Sequence, residues 1–237
     1  MRSGLALTAG VVLLPSRTVR PAFAAAGDAG LRIHERVSWG AVEPLHPVRC
    51  AGELPKKIII HHTATANVQD LSLSRAYALS RAIQRYHQQT MGWIDTGQHF
   101  TVSRGGHLLE GREHSLRELR RGENLIIGSH CTDQNTVAIG IEIEGNYSKS
   151  APSQIQYGAL VEMCTYICSQ YGMSPSEIYG HRDFNATACP GTALYETLPD
   201  LRTAVAQASA NTCGEWQSIG TGPTEFEEPA QSLWLFH

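Results

Sequence analysis

Three consecutive isoleucines, Ile58–Ile60, run straight into His61 and His62, and this short stretch constrains the fold more than any other. A continuous apolar run of this length reads as a buried strand, Lys56–His61. Beyond it, helical and strand patterns alternate. Leu73, Ala76, Leu79, Ile83 and Tyr86 recur at helical spacing and predict an amphipathic helix, which Gly92 breaks. Gln98–Ser103 and His107–Glu110 flank Arg104–Gly105–Gly106, a hairpin pattern. Leu125–His130 and Val137–Glu144 are two further strand candidates. A second helix takes Ser153 as N-cap and Gln156 in the capping-box position. Its stripe is Tyr157, Leu160, Val161, Cys164, Ile167, Cys168 and Tyr171, with Gly172 as C′ residue. A short strand, Glu177–Tyr179, leads to Gly180–His181, and a last helix covers about Leu198–Ala208. Strands interleaved with helices predict one α/β domain, residues 31–208, with a central mixed sheet flanked by helices. The tail 209–237 lacks periodicity and is expected to be a loose extension.

The leader has its own logic. Arg2, an apolar run from Leu5 to Leu14 and the small-residue exit Ala22–Phe23–Ala24 read as an export signal over residues 1–26. The run is about half of what a bilayer span needs, so no stable span is expected after signal removal. The mature chain is expected to be periplasmic or secreted. Six cysteines fit an oxidising compartment. Cys164 and Cys168, four apart in a helical pattern, are expected to face the core, and Cys50 and Cys213 are expected to pair across the ends of the domain. A net charge of −3 gives no electrostatic reason for a nucleic-acid partner.

Metal-ligand residue types gather at strand ends. One of His61 and His62 must point to each face of its strand. His181 opens the turn after Glu177–Tyr179, and Cys189 comes next in a loop closed by Pro190 and Gly191. Two histidines and a cysteine leave the fourth tetrahedral position of zinc open, as a catalytic site requires. Glu142 and Glu144, at i and i+2, share one strand face and are costly to bury unless paired or used.

The strings IIIHHTAT (58–65), MGWIDTGQHF (91–100), GSHCTDQN (128–135), AIGIEIEG (138–145) and GHRDFNATACPG (180–191) stand in that order, with RVSWGA (36–41) upstream. Together they resemble the type-2 N-acetylmuramoyl-L-alanine amidase and peptidoglycan recognition protein family, in its bacterial branch. The resemblance covers residues 31–208 and implies that family's fold. It implies Zn2+ held by His61, His181 and Cys189. It also implies Glu142 as the base that takes a proton from water and returns it to the leaving amine. Glu144 is the reserve, with a structural partnership to an arginine as the other reading. The implied reaction is hydrolysis of the amide between N-acetylmuramic acid and L-alanine in peptidoglycan. The implied partner is a glycan strand with its stem peptide, met by a monomer.

Two departures matter. Where many relatives carry a tyrosine, this chain has Gln98, expected to bind substrate by donating a hydrogen bond to it or to water but unable to titrate. Where some carry a lysine two before the cysteine, it has Thr187, a donor to a developing oxyanion without charge. These favour the alternative of a non-catalytic or weakly catalytic peptidoglycan binder with a retained zinc site. A zinc hydrolase for another amide is the second alternative. His130, Trp93 and Arg182 are expected to contact substrate, His130 also assisting at the oxyanion. Trp93 as a core anchor is the competing reading, and Asp183 is a candidate to orient a ligand histidine.

Overall fold

The computed structural model describes residues 31–219, with side chains through residue 211. Residues 1–30, where the export signal is expected, and the segment 220–237 lie outside the described residues, as does the side chain of Cys213 and with it the expected Cys50–Cys213 pairing.

Six strands form one mixed sheet: β1 (Ile33–His34), β2 (Lys57–His62), β3 (Phe100–Val102), β4 (Leu108–Glu110), β5 (Ala138–Ile143) and β6 (Ile178–Gly180). Their spatial order is β1-β4-β3-β5-β2-β6. β3 and β4 form the antiparallel hairpin, and the other neighbours are parallel. β2 lies between β5 and β6, which is why its three isoleucines are all fully buried and its sequence does not alternate.

One face of the sheet carries Ile58, Ile60, Phe100, Val102, Ile139, Ile141 and Ile143 against α4 (Gln154–Tyr171) and α6 (Leu198–Ile219). Cys164 and Cys168 lie in this core as expected. α4 begins at Ser153, whose side chain accepts from Gln156 N–H, and ends at Gly172 in the left-handed region, φ 62°. The capping box is only half present. Gln156 turns its amide inward, donating to Val102 O at 3.2 Å and Glu144 O at 2.9 Å and accepting from the Tyr147 hydroxyl. Near β4, α1 (Arg36–Trp39) and α2 (Leu73–Arg85) bring Trp39 and Ala76 onto Leu109. Trp39 Nε1–H donates to Glu110 O at 2.9 Å, so the largest buried side chain also satisfies its polar atom.

Several expectations are corrected. Leu125–His130 is not a strand: Ile126 makes an isolated bridge to Cys50, and the chain bends at Ser129 and His130. The last helix continues past Ala208 to Ile219, running through Gly214 without ending there. Residues 209–219 are therefore helical rather than loose. Sequence reading missed β1, α1, α3 (Ser115–Arg121) and α5 (Thr192–Tyr195), all too short to show a period.

Candidate metal centre

The opposite sheet face collects the polar groups. Register places His61 of β2, Glu142 of β5 and Thr101 of β3 side by side in one row. β6 ends at Gly180, and the 3-10 turn His181–Asp183 swings His181 over the end of β2. The next loop returns Cys189 to the same point, its sulfur accepting His62 N–H at 3.4 Å. The centre thus sits at the carboxyl ends of β2, β5 and β6, where parallel strands leave a crevice.

His61 Nδ1 lies 3.1 Å from His181 Nδ1 and 3.7 Å from Cys189 Sγ, and the three ligand atoms fall within 4.8 Å of one another. Zinc bonded at ordinary lengths to two imidazole nitrogens and a thiolate would set tetrahedral edges of about 3.3 Å and about 3.6 Å. The His61–His181 and His61–Cys189 spacings fit those edges. Burial and the neighbouring imidazoles hold the His61 ring well below the usual histidine range, so it is neutral and ready to ligate. Burial lowers His181 as well. Burial also pushes the Cys189 thiol up to about 12, against the opposing His62 N–H. A divalent cation is the charge that would draw its proton off. His62 lies outside the centre, its Nδ1 accepting Tyr147 N–H at 3.3 Å.

Glu142 keeps a rim of solvent contact, but its Oε2 is enclosed and without a hydrogen bond among the described residues. Burial pushes its carboxyl up to about 7. Glu144 is a structural residue: its Oε1 meets Arg75 at 3.2 Å and its Oε2 accepts Arg104 N–H at 2.9 Å. The two glutamates of one strand face therefore divide into one that is satisfied and one with an oxygen still to be paired.

The other candidates mostly turn inward. His130 was expected to meet substrate, but both ring nitrogens are engaged within the protein, Nδ1 with His61 Nε2 at 2.9 Å and Nε2 with Ala138 O at 3.2 Å. Arg182 was expected there too. Its guanidinium instead bonds Ala188 O and Cys189 O and lies 4.8 Å over the Tyr195 ring, tying down the cysteine loop. Trp93 stacks on His87 with centroids 4.6 Å apart. Gln98 is buried, its amide donating to Thr101 Oγ1 at 3.0 Å. Thr187 is exposed, and its hydroxyl accepts Cys189 N–H at 3.2 Å. Asp183 does not orient a ligand: it accepts Gly180 N–H at 2.8 Å and the Tyr195 hydroxyl. Asn185 takes that place, its Oδ1 3.0 Å from His181 Nε2. Sequence reading missed Asn185 and Thr101. The only available signal for Asn185 was its four-residue spacing from His181, and Thr101 had none short of the register.

A six-stranded mixed sheet backed by helices, with two imidazoles and a thiol converging at its strand ends, defines the peptidoglycan-recognition and type-2 amidase fold. Residues 51–192 match the N-acetylmuramoyl-L-alanine amidase family, and the chain belongs to it. It is 30% identical over 169 residues to the human N-acetylmuramoyl-L-alanine amidase, covering 70% of this chain but 27% of that protein. The chain thus spans about a quarter of the length of that curated relative and of its pig counterpart. It is 29% identical to Drosophila melanogaster peptidoglycan-recognition protein SC2, over 74% of this chain and 89% of that one. Among solved structures it resembles a Drosophila PGRP-LB mutant in complex with tracheal cytotoxin, with TM-score 0.60 and 26% identity over 70% of this chain and 92% of that one.

Proposed function

We propose that this chain is a zinc-dependent amidase that cleaves the bond between N-acetylmuramic acid and L-alanine in peptidoglycan. The observation that carries the reading is the convergence of His61 Nδ1, His181 Nδ1 and Cys189 Sγ within 4.8 Å, beside Glu142 in the neighbouring strand. Family membership supports the reaction class, and the cytotoxin complex of the fly relative supports a peptidoglycan fragment as the substrate class. Zinc suits a mixed imidazole and thiolate set, and three protein ligands leave one position for chemistry.

Bound there, zinc would supply Lewis acidity to the scissile carbonyl and to the attacking water. Glu142 takes the proton from that water and returns it to the departing L-alanine amine. In the metal-free fold burial pushes that carboxyl up to about 7, and a dication bound beside it would favour the carboxylate form that accepts the proton. Thr187 and Arg182 hold the cysteine loop in place, and the Thr187 hydroxyl retains its own proton to offer. Gln98 braces Thr101 at the far end of the row. The working domain runs from residue 31 into α6, and the substrate calls for an exported protein acting outside the cytoplasmic membrane. Among the described residues no helix is long and apolar enough to cross a membrane.

The test uses purified sacculi. New L-alanine amino termini without new reducing sugar ends are expected, lost on chelation and recovered with one zinc per chain. Gln98 and Thr187 are the features behind a binding-only reading. Sacculi bound but left uncut by the zinc-loaded protein would establish that reading and overturn the amidase.

A further inference from the structure

We infer that His130 and Asn185 are positioning residues that fix, before any metal arrives, which nitrogen of each ligand histidine faces the centre. The inference rests on the proposed metal reading and deepens it. A carbonyl oxygen only accepts, so His130 Nε2, 3.2 Å from Ala138 O, carries the hydrogen. In the neutral ring Nδ1 is then bare, and it accepts His61 Nε2–H at 2.9 Å. That leaves His61 Nδ1 bare on the side of His181 and Cys189. The second ligand is set independently. Asn185 Nδ2 donates to Phe184 O at 2.9 Å, which fixes the amide so that Oδ1 accepts His181 Nε2–H at 3.0 Å. His181 Nδ1 is therefore bare as well. The two bare nitrogens face each other at 3.1 Å, a repulsive pairing for lone pairs and a favourable one around a cation.

Both acceptors are neutral. A carboxylate in either position would strengthen its histidine as a donor and add negative charge behind the centre. An imidazole and an amide give orientation without that charge, so the Cys189 thiolate is the sole anionic ligand and the ion keeps more of its acidity.

The backbone supplies a separate observation. The His130 ring lies against two glycines: a Cβ at Gly140 would stand 2.5 Å from its Cγ and 2.7 Å from its Nδ1, and one at Gly128 would stand 2.6 Å from its Cδ2. Glycine inside a strand weakens it unless something needs the space. In β5 the His130 ring uses that space.

The test reads metal affinity and tautomer rather than turnover. In the metal-free chain, nitrogen-15 NMR is expected to find His61 and His181 both as Nε2–H. By chelator competition, His130→Ala, Asn185→Ala and Gly140→Ala are each expected to bind zinc about 10- to 100-fold more weakly. His130→Asn, whose Oδ1 can stand where Nδ1 stood, should recover most of that loss, which a merely space-filling role would not allow. Urea unfolding of the metal-free variants separates misfolding from the effect, and the NMR reading stands even if Gly140→Ala does not fold. Parent-like zinc affinity in His130→Ala and Asn185→Ala, or an Nδ1–H tautomer in the metal-free chain, overturns the inference and leaves the amidase reading standing. Tight zinc binding by the parent chain without cleavage of sacculi overturns the amidase reading and leaves this one standing.

Discussion

Glu142 and Glu144 differ by two positions, point to the same face and share a flanking sequence of isoleucines, yet their surroundings assign them opposite tasks. Glu144 is spent on Arg75 and the Arg104 amide, while Glu142 has an enclosed oxygen with no partner among the described residues. Replacing Glu142 by Gln keeps the shape and removes the proton shuttle. Turnover on peptidoglycan should fall by about 10²- to 10⁴-fold with zinc content unchanged. Cys189→Ser should instead lose both, because a hydroxyl does not ionise to replace the thiolate. Metal analysis beside the amino-terminus assay distinguishes the two, and a Glu142→Gln enzyme with parent turnover would remove Glu142 from the mechanism. The ligand types were legible in the sequence because each sits at a recognisable break, His61 at a strand end and Cys189 before Pro190. Their supporting residues were not. His130 pointed towards substrate on sequence grounds, since nothing in a linear string tells that a ring will fold back over Gly140 of a strand ten residues away in the chain.

Elements were readable in proportion to their length. α2 and α4 carried enough turns to show a period, and β2 and β5 enough apolar residues to show burial. Leu125–His130 had strand composition, but its pairing is confined to the Ile126 bridge and the backbone bonds of Leu125 and Ile127 with Arg49, Ala51 and Glu53, and at Gly128 the His130 ring takes up the space a Cβ would need. Gln156 shows how tertiary contacts override a local motif. The capping-box spacing is present, and Ser153 does cap, but the glutamine side chain links Val102, Glu144 and Tyr147 beneath the sheet. Ser153→Ala should therefore cost about 1 kcal/mol, the value of one N-cap. Gln156→Ala should cost more, on the order of 3 kcal/mol, because it strands several buried polar groups at once. Urea denaturation of the metal-free proteins would rank them. Equal losses would mean that the capping box, not the inward network, is what Gln156 contributes.

For the molecule as a whole, the buried histidines determine how stability responds to acid. His87, on the turn after α2, accepts Gly97 N–H on its Nδ1 at 3.1 Å and packs on Trp93. Burial pushes it down to about 4, with Asp95 pulling the other way and Arg112 adding to the push. His99 is also pushed down to about 4, chiefly by burial; it accepts Gly140 N–H at 2.9 Å and faces Ile126 O at 2.6 Å. Both rings are neutral in the fold, and in the unfolded chain both take a proton near 6.5. Between about pH 6.5 and 4 the unfolded state binds more protons, so stability falls as pH falls and the loss is complete below about 4. Each ring then contributes on the order of 3 kcal/mol of sensitivity, a large share of the few kcal/mol that hold a domain together. Glu110 acts oppositely: burial raises its carboxyl, so its contribution is present at low pH and lost as pH rises through its own range. The metal-centre histidines, also lowered, add to the acid slope in the metal-free chain. His87→Gln isolates one contribution, since Gln still accepts from Gly97 but does not titrate. Urea unfolding at several pH values should then show a plot of stability against pH that is shallower by up to about 1.4 kcal/mol per pH unit between 6.5 and 4. A slope equal to that of the parent chain would mean that His87 takes up its proton without breaking the Gly97 contact, and that acid enters this fold elsewhere.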